Sequence, residues 1–401
     1  MMNAIQRAKH IFGISPWSGN AGSVVAALLT LAFVVMASTA PAQTFSLLHQ
    51  FKSGPGGIRP ADGVVLDAKG NFYGTTLDDG AFASGTVFKM TTAGREKVLY
   101  SFTGTGGDGA FPQYGTLVRD SSGNLYGTTP GGGINNQACL FSCGAVFKVD
   151  ATGKESVLYS FTGTGGDGYS PWAGLVRDPA GNLYGMTPYG GAYNWGTVFK
   201  IDPAGKEEIV HAFTGGSDGG YPWAGLTRDA KGNLYGTTVF NTVFKIDPSG
   251  TLTVLYTFTG SPDGIDPQAG LIRDSAGNLY GTTESGGTSG YGTVFKVTAQ
   301  GQESVLYSFT GGADGGGLRD SSLVRDSAGN LFGTTWRGGA SDFGVVFKLD
   351  PSGTETVLHS FSGSDGKIPY GTLVLDKAGN LFGTTYEGGA YGGGVVFKIT
   401  P

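Results

Sequence analysis

The apolar positions of this chain recur as four short runs, separated by clusters of glycine, aspartate and serine. Between Gly270 and Gly311 the runs are LIR, NLYGTT, GTVFKV and SVLYSF, which are rich in Val, Tyr, Phe and Thr. Runs of about five or six such residues between turn signals are typical of β-strands rather than helices. We label the four predicted strands a, b, c and d.

The segment DSAGNLYGTT, which joins strands a and b, occurs in seven near-copies. Their first residues are Asp67, Asp120, Asp178, Asp229, Asp274, Asp326 and Asp376. The aspartate oxygen can accept a nearby backbone N–H and the glycine three residues later supplies a positive φ, so the segment predicts a hairpin. A second glycine recurs inside strand b, at Gly281 in the fifth copy, and marks a place where another group packs closely.

Seven copies with four strands each predict an all-β fold, a seven-bladed β-propeller of four-stranded antiparallel blades. The chain ends soon after strand c of the last copy, near Phe397, whereas Phe45 to Phe51 (FSLLHQF) is a strand d with no partner before it. We therefore expect the N-terminal strand to complete the last blade and close the ring. The competing architecture is an open solenoid, which would need capping units instead.

The first 42 residues are predicted to be a signal peptide, and residues 43–401 the propeller domain. Arg7 and Lys9 precede an apolar stretch from Val24 to Ala37, and a small-x-small cleavage site ends at Ala42. An uncleaved anchor is the alternative, although a spanning helix needs about 20 apolar residues. We expect a secreted monomer, extracellular or periplasmic, without a membrane span once the signal is removed.

The charge balance argues against nucleic acid as a partner. Without the predicted leader the chain has 24 Lys and Arg against 31 Asp and Glu, a net charge of −7, and no basic run. Affinity for nucleic acid depends largely on the neutralisation of phosphates.

Loop lengths distinguish the two faces of the predicted disc. The strand c and strand d phenylalanines are 14 residues apart in all six uninterrupted blades, as in Phe88 and Phe102. From strand b to strand c the interval is 12 in five blades, but 18 from Thr129 to Phe147 and 6 from Thr238 to Phe244. The b–c and d–a loops share one face of an up-and-down blade, which we nominate for binding. Neutral drift of surface loops is the alternative.

Aromatic and acidic residues occupy variable positions on this face. Just before strand a stand Trp172, Trp223, Gln268 and Tyr370, and just after strand b stand Glu284, Trp336, Tyr386 and Glu387. The rings could stack on a sugar or an aromatic ligand while the carboxylates bond its polar groups. The candidate ligand-binding residues are Trp172, Trp223, Glu284, Trp336, Tyr370, Tyr386 and Glu387. Alternatively, these rings pack between blades.

No catalytic or metal-binding constellation is predicted. His49, His211 and His359 all fall on strand d, spread around the outer rim, and cannot converge. Six d–a loops carry Asp-Gly, at Asp108, Asp167, Asp218, Asp263, Asp314 and Asp365. Turn formation explains these aspartates, and calcium is the alternative because it takes several oxygen ligands. No other cofactor is expected.

Two further residue sets leave alternatives open. Strand a carries Arg119, Arg177, Arg228, Arg273 and Arg325, with Leu66 and Leu375 in the remaining blades. Their guanidinium groups would form an anion site in the central channel. Alternatively, the aliphatic part of each arginine packs between blades and its guanidinium group is paired. Cys139 and Cys143 fall in one loop and are predicted to form a disulfide in an oxidising compartment. Free thiols, or a weak metal site of two thiolates, are the alternatives.

The unit GNLYGTTxxGG, followed by GTVFK and VLYSFTG, resembles the GloVer tandem repeat (Gloeobacter/Verrucomicrobia type) of exported bacterial proteins. The resemblance covers the expected mature chain in seven copies and implies an extracellular or surface location, without any known catalytic residues. The chain ends four residues after Phe397 without a sorting tail, which favours release or periplasmic residence. More loosely, the unit is similar to NHL-type and streptogramin-lyase-like propellers, but such a lyase would need a histidine at the channel mouth.

These observations predict a binding or interaction module that holds a glycan or peptide on the variable-loop face, rather than an enzyme. A carboxylate-dependent hydrolase or lyase that uses Glu284 and Glu387 is the first alternative. A structural module of the cell envelope is the second.

Overall fold

Seven four-stranded antiparallel sheets carry the seven repeats and form a β-propeller, which confirms the predicted fold class. The computed structural model describes residues 43–60, 62–134, 137–139, 142–320 and 322–400. The predicted signal peptide, residues 1–42, lies outside the described residues. The described part of the chain contains no helix of the length and hydrophobicity that a membrane crossing requires.

The strands follow the order a, b, c, d in every sheet. Strand a comprises Val65–Leu66, Val118–Arg119, Val176–Arg177, Thr227–Arg228, Ile272–Arg273, Val324–Arg325 and Val374–Leu375 in blades 1 to 7. Strand b comprises Phe72–Thr76, Leu125–Thr129, Leu183–Thr187, Leu234–Thr238, Leu279–Thr283, Leu331–Thr335 and Leu381–Thr385. Strand c comprises Thr86–Met90, Ala145–Val149, Thr197–Ile201, Thr242–Ile246, Thr293–Val297, Val345–Leu349 and Val395–Thr400. Strand d comprises Glu96–Ser101, Glu155–Ser160, Glu207–Ala212, Leu252–Thr257, Glu303–Ser308, Glu355–Ser360 and, in blade 7, Thr44–Gln50.

Strand a is shorter than predicted. It pairs with strand b over only two residues in each blade, not over five or six. The residues before it turn aside and bond the loop that follows strand b: in blade 1, Ile58 bridges to Asp78, and the Leu77 N–H donates to the Arg59 carbonyl at 2.9 Å. The backbone groups of these residues are therefore bonded to the b–c loop and cannot extend the pairing of strand a with strand b.

The N-terminal strand closes the ring as predicted. Thr44–Gln50 lies antiparallel to strand c of blade 7, with Thr44 opposite Thr400 and Gln50 opposite Val395. The Gln50 side chain also accepts a hydrogen bond from the Ala390 N–H at 2.7 Å. This pairing removes the exposed edge that strand c of the last blade would otherwise present.

A glycine and two phenylalanines form the same contact at each seam between blades. In blade 5, Gly281 of strand b lies opposite Phe295 of strand c, and a Cβ at Gly281 would stand 2.6 Å from the ring of Phe295. That ring meets Phe258 of the preceding blade edge-on, with 4.8 Å between ring centroids. The seven pairs, 4.8 to 5.3 Å apart, are Phe51–Phe88, Phe102–Phe147, Phe161–Phe199, Phe213–Phe244, Phe258–Phe295, Phe309–Phe347 and Phe361–Phe397.

The strand a arginines pack between blades. Arg273 lies 5.6 Å from the ring centre of Tyr235 in the preceding blade, and the Tyr235 hydroxyl donates to Asp229 at 3.1 Å. The five pairs are Arg119–Tyr73, Arg177–Tyr126, Arg228–Tyr184, Arg273–Tyr235 and Arg325–Tyr280. Where strand a carries leucine instead, the preceding blade carries phenylalanine: Leu375 packs with Phe332, and Leu66 with Phe382.

The loops of variable length emerge on one face, as predicted. In blade 2 the incoming d–a loop pairs through Gly109–Ala110 with the b–c loop at Gly131–Gly132. In blade 3 Gly168–Tyr169 pairs in the same way with Tyr189–Gly190. Single bridges between the same two loops occur in blades 1, 5, 6 and 7.

A disulfide joins Cys139 and Cys143 in the long b–c loop of blade 2, with 5.2 Å between their Cα atoms. Both cysteines are buried and belong to the same apolar cluster as Phe161 and Tyr169. The disulfide therefore closes a small ring within the longest loop, and the adjoining d–a loop meets it by apolar packing and by the Ser170 N–H, which donates to the Cys143 carbonyl at 2.8 Å.

Replacement of Gly281 by alanine should destabilise the protein by about 1–3 kcal/mol, the usual cost of overpacking a close-packed core. The added Cβ would stand 2.6 Å from Phe295 and 2.8 Å from Leu271. Gly225→Ala is the matched control, because its Cβ would approach nothing closer than 3.9 Å. Denaturant unfolding measures both, and equal losses in the two variants would contradict the close-packing argument.

Arg273→Leu and Tyr235→Phe should be partly compensating. Each alone leaves a mixed pair, whereas the double variant recreates the Leu–Phe pair of the two apolar seams. We expect a coupling free energy of about 0.5–1 kcal/mol in a double-mutant cycle. Arg119→Leu combined with Tyr235→Phe, which joins residues of different seams, should be additive. Additivity in the first pair would show that the alternation of Arg–Tyr with Leu–Phe has no energetic basis.

Candidate functional site

A cavity of about 250 Å³ lies on the propeller axis, where the segments that lead into strand a converge. We call these seven segments the approach segments. Every blade contributes to the lining, through Asp62, Tyr114, Gly174, Trp223, Gln268, Asp320 and Thr372 in blades 1 to 7. The cavity is therefore a product of ring closure rather than of any one repeat.

Two approach segments contain an extra residue. Proline stands seven residues before the hairpin aspartate in five blades, but Pro112 stands eight before Asp120, and Leu318 takes the corresponding place before Asp326. The inserted residues, Tyr114 and Asp320, adopt left-handed backbone conformations with φ of 57° and 59° and line the cavity. This conformation is unfavourable for residues other than glycine, and strained residues of this kind cluster at active sites and ligand-binding sites.

Five aromatic rings form a continuous arc at the mouth of this cavity. The ring centroids are 5.3 Å apart for Trp223 and Trp172, 5.9 Å for Trp172 and Tyr114, and 6.2 Å for Tyr114 and Tyr370. Tyr386 continues the arc, 5.8 Å from Tyr370. Four of the five were predicted as ligand-binding residues, and Tyr114, which connects them, was not.

Trp336 is placed differently. Its ring packs on Gly317 and under Arg337, with 5.0 Å between the guanidinium carbon and the ring centre. Its indole nitrogen is buried and has no hydrogen-bond partner in the part of the chain that the structure describes. Trp336 thus lies beside the site rather than within the arc.

The two predicted glutamates have different surroundings. Glu284 accepts a hydrogen bond from the Gln268 side-chain amide at 2.5 Å, and its burial raises its pKa. Glu387 lies 2.9 Å from Lys367 and 3.6 Å from Arg59, in a network of ion pairs at the rim. Only Glu284 therefore interacts with a side chain that lines the axial cavity.

Two buried carboxyl groups that the sequence analysis missed lie in the cavity. Burial raises the pKa of Asp62 to about 6 and that of Asp320 to about 7. Asp62 accepts hydrogen bonds from the Gly63 N–H at 2.5 Å and the Thr116 hydroxyl at 2.8 Å. Asp320 lies 3.3 Å from the Arg319 Nε, and the guanidinium group of Arg319 lies over the Trp223 ring at 5.9 Å.

The Asp-Gly residues of the d–a loops bond their own turns. Asp108, for example, accepts the Thr103 N–H at 2.7 Å and the Tyr100 hydroxyl at 2.8 Å. Where histidine replaces this tyrosine, the ring nitrogen takes the place of the hydroxyl, as in His211 with Asp218 at 3.1 Å. No three His, Cys, Asp or Glu side chains converge on a metal-sized site within the described ranges.

Four strand d glutamates face the turn aspartate of the neighbouring loop. Burial, together with the negative charge of Asp108, raises the pKa of Glu155 to about 7. Glu207, Glu303 and Glu355 show the same shift beside Asp167, Asp263 and Asp314. An Oε1 atom of each glutamate is buried without a hydrogen-bond partner among the described residues. A proton shared between the glutamate and the neighbouring aspartate would supply the hydrogen-bond donor that this oxygen lacks.

The fold and the cavity define a repeat propeller with a polar, ligand-sized recess at its axis. The chain belongs to the Gloeobacter/Verrucomicrobia repeat family, whose model matches residues 33–241, 140–320 and 239–401. No curated protein has a significantly similar sequence.

Solved structures share the fold at low sequence identity. The extracellular domain of a protein from B. thetaiotaomicron, assigned as a one-component system, is 12% identical with a TM-score of 0.55. That match covers 88% of this chain but only 39% of the other. A fungal alcohol oxidase of the AA5 family, solved in complex with copper, is 14% identical with a TM-score of 0.57, over 88% of this chain and 75% of the other. These likenesses show the fold alone.

Stability should fall as the pH rises from about 5 to 8. The folded-state pKa of the four glutamates, about 7, is raised above the ordinary value of about 4.3. The folded protein therefore holds these protons more tightly, and their contribution, complete below about pH 4, is lost as the pH passes 7. Changing Glu155, Glu207, Glu303 and Glu355 together to glutamine should make the melting temperature fall less between pH 5 and 8, and the fall that remains comes from Asp62 and Asp320.

Glu208→Gln is the control for this measurement, because Glu208 is exposed on strand d and forms an ion pair with Lys200 at 3.2 Å. Its charge adds to the raised pKa of Glu207, so Glu208→Gln should change the pH profile much less than the fourfold variant. An identical slope in the wild type and the fourfold variant would overturn the proton-sharing explanation.

Proposed function

We propose that this protein is an exported binding propeller that holds a glycan at the mouth of its axial channel. The observation that carries the proposal is the arc of five rings, which leads into a cavity lined by carboxyl, amide and hydroxyl groups. Aromatic rings offer flat apolar faces, and a few placed polar groups fix a ligand's orientation. Sugars have apolar ring faces, which match the aromatic arc, and many hydroxyl groups, which match the polar cavity.

The cavity lining favours a glycan over a peptide. Asp62, Gln268 and Asp320 present oxygen acceptors to the cavity, and Thr116, Ser322 and Thr372 present hydroxyl groups. An apolar side chain of a peptide would leave the buried Gln268 Oε1, which has no hydrogen-bond partner among the described residues, unpaired at a cost of about 1–3 kcal/mol. A polyhydroxylated ligand can pair with both kinds of group.

An extracellular or periplasmic location supports this proposal. The predicted leader, residues 1–42, would direct the chain out of the cytoplasm. The same fold occurs in an extracellular domain from B. thetaiotaomicron. Binding outside the cytoplasm would give the protein access to envelope or environmental polysaccharides.

A carboxylate-dependent hydrolase or lyase is the second candidate, and one observation favours it. Asp62 and Asp320 lie in the same cavity, and their negative charges influence each other. Neighbouring carboxyl groups with raised pKa values can divide the roles of acid and base. The acid pair would then be Asp62 and Asp320, rather than Glu284 and Glu387.

Replacement of Trp172 and Trp223 by alanine should reduce retention on a glycan array by about five- to 150-fold, since each stacking contact contributes about 0.5–1.5 kcal/mol. The mature chain, residues 43–401, is the sample. Tyr391→Ala is the matched control, because Tyr391 is 61% exposed on a b–c loop outside the arc. Equal retention by the double variant and the control, or no glycan retained by the wild type, would refute the proposal.

Product analysis distinguishes the second candidate in the same experiment. Under the binding proposal, glycans recovered from the array are chemically unchanged. Cleaved products from the wild type that disappear in Asp320→Asn would establish turnover instead.

A further inference from the structure

We propose that the axial cavity is an anionic subsite that receives the protonated primary amine of an amino sugar at the end of the bound glycan. The inference rests on the proposed function and names the ligand class for the same site. Three independent features carry it: uncompensated negative charge, a buried acceptor without a donor, and the small volume of the cavity.

The charges at the cavity do not balance. Asp62 and Asp320 line the cavity, and Glu284, with Asp266 near it, lies behind Gln268, which makes four carboxyl groups. Two guanidinium groups face them: Arg319 interacts with Asp320 and Glu284, and Arg337 with Glu284. Asp62 is only 6% exposed and forms no ion pair within the described part of the chain. Buried carboxylates normally have a cationic partner, because removing an unpaired charge from water is costly. An ammonium group would supply that partner.

Gln268 provides the second feature. Its side chain is 6% exposed, its amide nitrogen donates to Glu284, and its Oε1 has no hydrogen-bond partner among the described residues. Because the side chain lines the cavity, this acceptor is available to a donor inside it. An ammonium group has three donors and no acceptor, which matches two carboxylates and one amide oxygen.

The volume limits what can enter. About 250 Å³ lies below the range of about 300–1,000 Å³ that is usual for pockets that enclose drug-sized ligands. The cavity therefore fits one end group, while the remaining sugar rings lie on the aromatic arc. Trp223 stands at this boundary, with the guanidinium group of Arg319 over its ring at 5.9 Å.

The surroundings of the two aspartates define the expected pH response. Asp62 faces the Thr116 hydroxyl and the backbone N–H groups of Gly63 and Thr372. Asp320 faces Arg319, Glu284 and Asp62, with the hydroxyl groups of Tyr114 and Tyr370 within electrostatic range. Burial keeps both carboxyl groups protonated at pH 5, so a bound cation must displace protons. Amine affinity should rise between pH 5 and 7, where an amino group stays protonated.

Titration calorimetry on the mature chain tests the inference with three tetrasaccharides: one of glucosamine, one of N-acetylglucosamine and one of glucose. At pH 7 we expect the glucosamine tetramer to bind at least about tenfold more tightly than the other two, with release of protons. At pH 5 the preference should largely disappear. Asp320→Asn and Asp62→Asn, which lie in different blades, should each remove the preference for the glucosamine tetramer over the other two.

Asp342→Asn is the matched control. It removes a carboxylate from a b–c loop of the same face, at a residue that does not line the cavity, and the asparagine oxygen can still accept from the Gly338 N–H, so the preference for the amine should persist. Equal affinity of the wild type for the three tetramers at pH 7, or an unchanged preference in both aspartate variants, would overturn the inference and leave the glycan proposal standing.

The two proposals fail in different ways. Trp172→Ala combined with Trp223→Ala should weaken all three tetramers, because the rings contact the sugar and not its amine. If no tetramer binds and tetralysine does, the glycan proposal and the amino-sugar assignment both fall. Binding of the neutral tetramers alone would exclude the anionic subsite.

Discussion

Seven edge-to-face phenylalanine contacts hold the blades together, and the rest of the structure depends on them. Each contact needs the strand b glycine, because any side chain there would occupy the space of the strand c ring. Six contacts join blades that follow each other in the chain, and the seventh joins Phe51 to Phe88 across the closure. The N-terminal strand thus supplies both the last row of strand hydrogen bonds and the last aromatic contact.

This arrangement separates a constant frame from a variable face. The a–b hairpins are fixed by the same aspartate and glycine bonds in each blade, as in Asp274 with Asn278. The c–d turns are fixed by an aspartate in blades 2, 3, 4 and 6 and by a threonine in blades 1 and 5. The b–c and d–a loops bond mainly to each other, so a change in one loop leaves the seams intact. Extra residues at Tyr114 and Asp320 therefore extend into the channel without disturbing the frame, and the frame holds their left-handed conformations in place.

The two residue types that meet at each seam between blades vary together. Arginine on strand a occurs with tyrosine in the preceding blade, whose hydroxyl is bonded to the hairpin aspartate, and leucine occurs with phenylalanine. Both apolar seams flank blade 7, which is built from the two ends of the chain. The outer rim shows a similar pairing between strand d of one blade and strand d of the next. Where the next strand d presents a glutamate, the turn aspartate accepts a hydrogen bond from a tyrosine; these glutamates are Glu155, Glu207, Glu303 and Glu355. Where it presents an apolar residue, the aspartate bonds a histidine instead, as His359 bonds Asp365 and stacks on Phe45.

The sequence by itself determined the propeller, the hairpins, the closing strand and the face of the variable loops. Strand alternation and turn chemistry are local, and seven repetitions made the pattern unambiguous. Tertiary structure decided the length of strand a, because its ladder competes with loop pairing, and it decided which side chains meet. Asp62, Tyr114 and Asp320 are far apart in the chain, and only ring closure brings them into one cavity. The eight-residue spacing before Asp120 and Asp326 was the available signal, but the raised pKa values follow from burial, which no local pattern encodes.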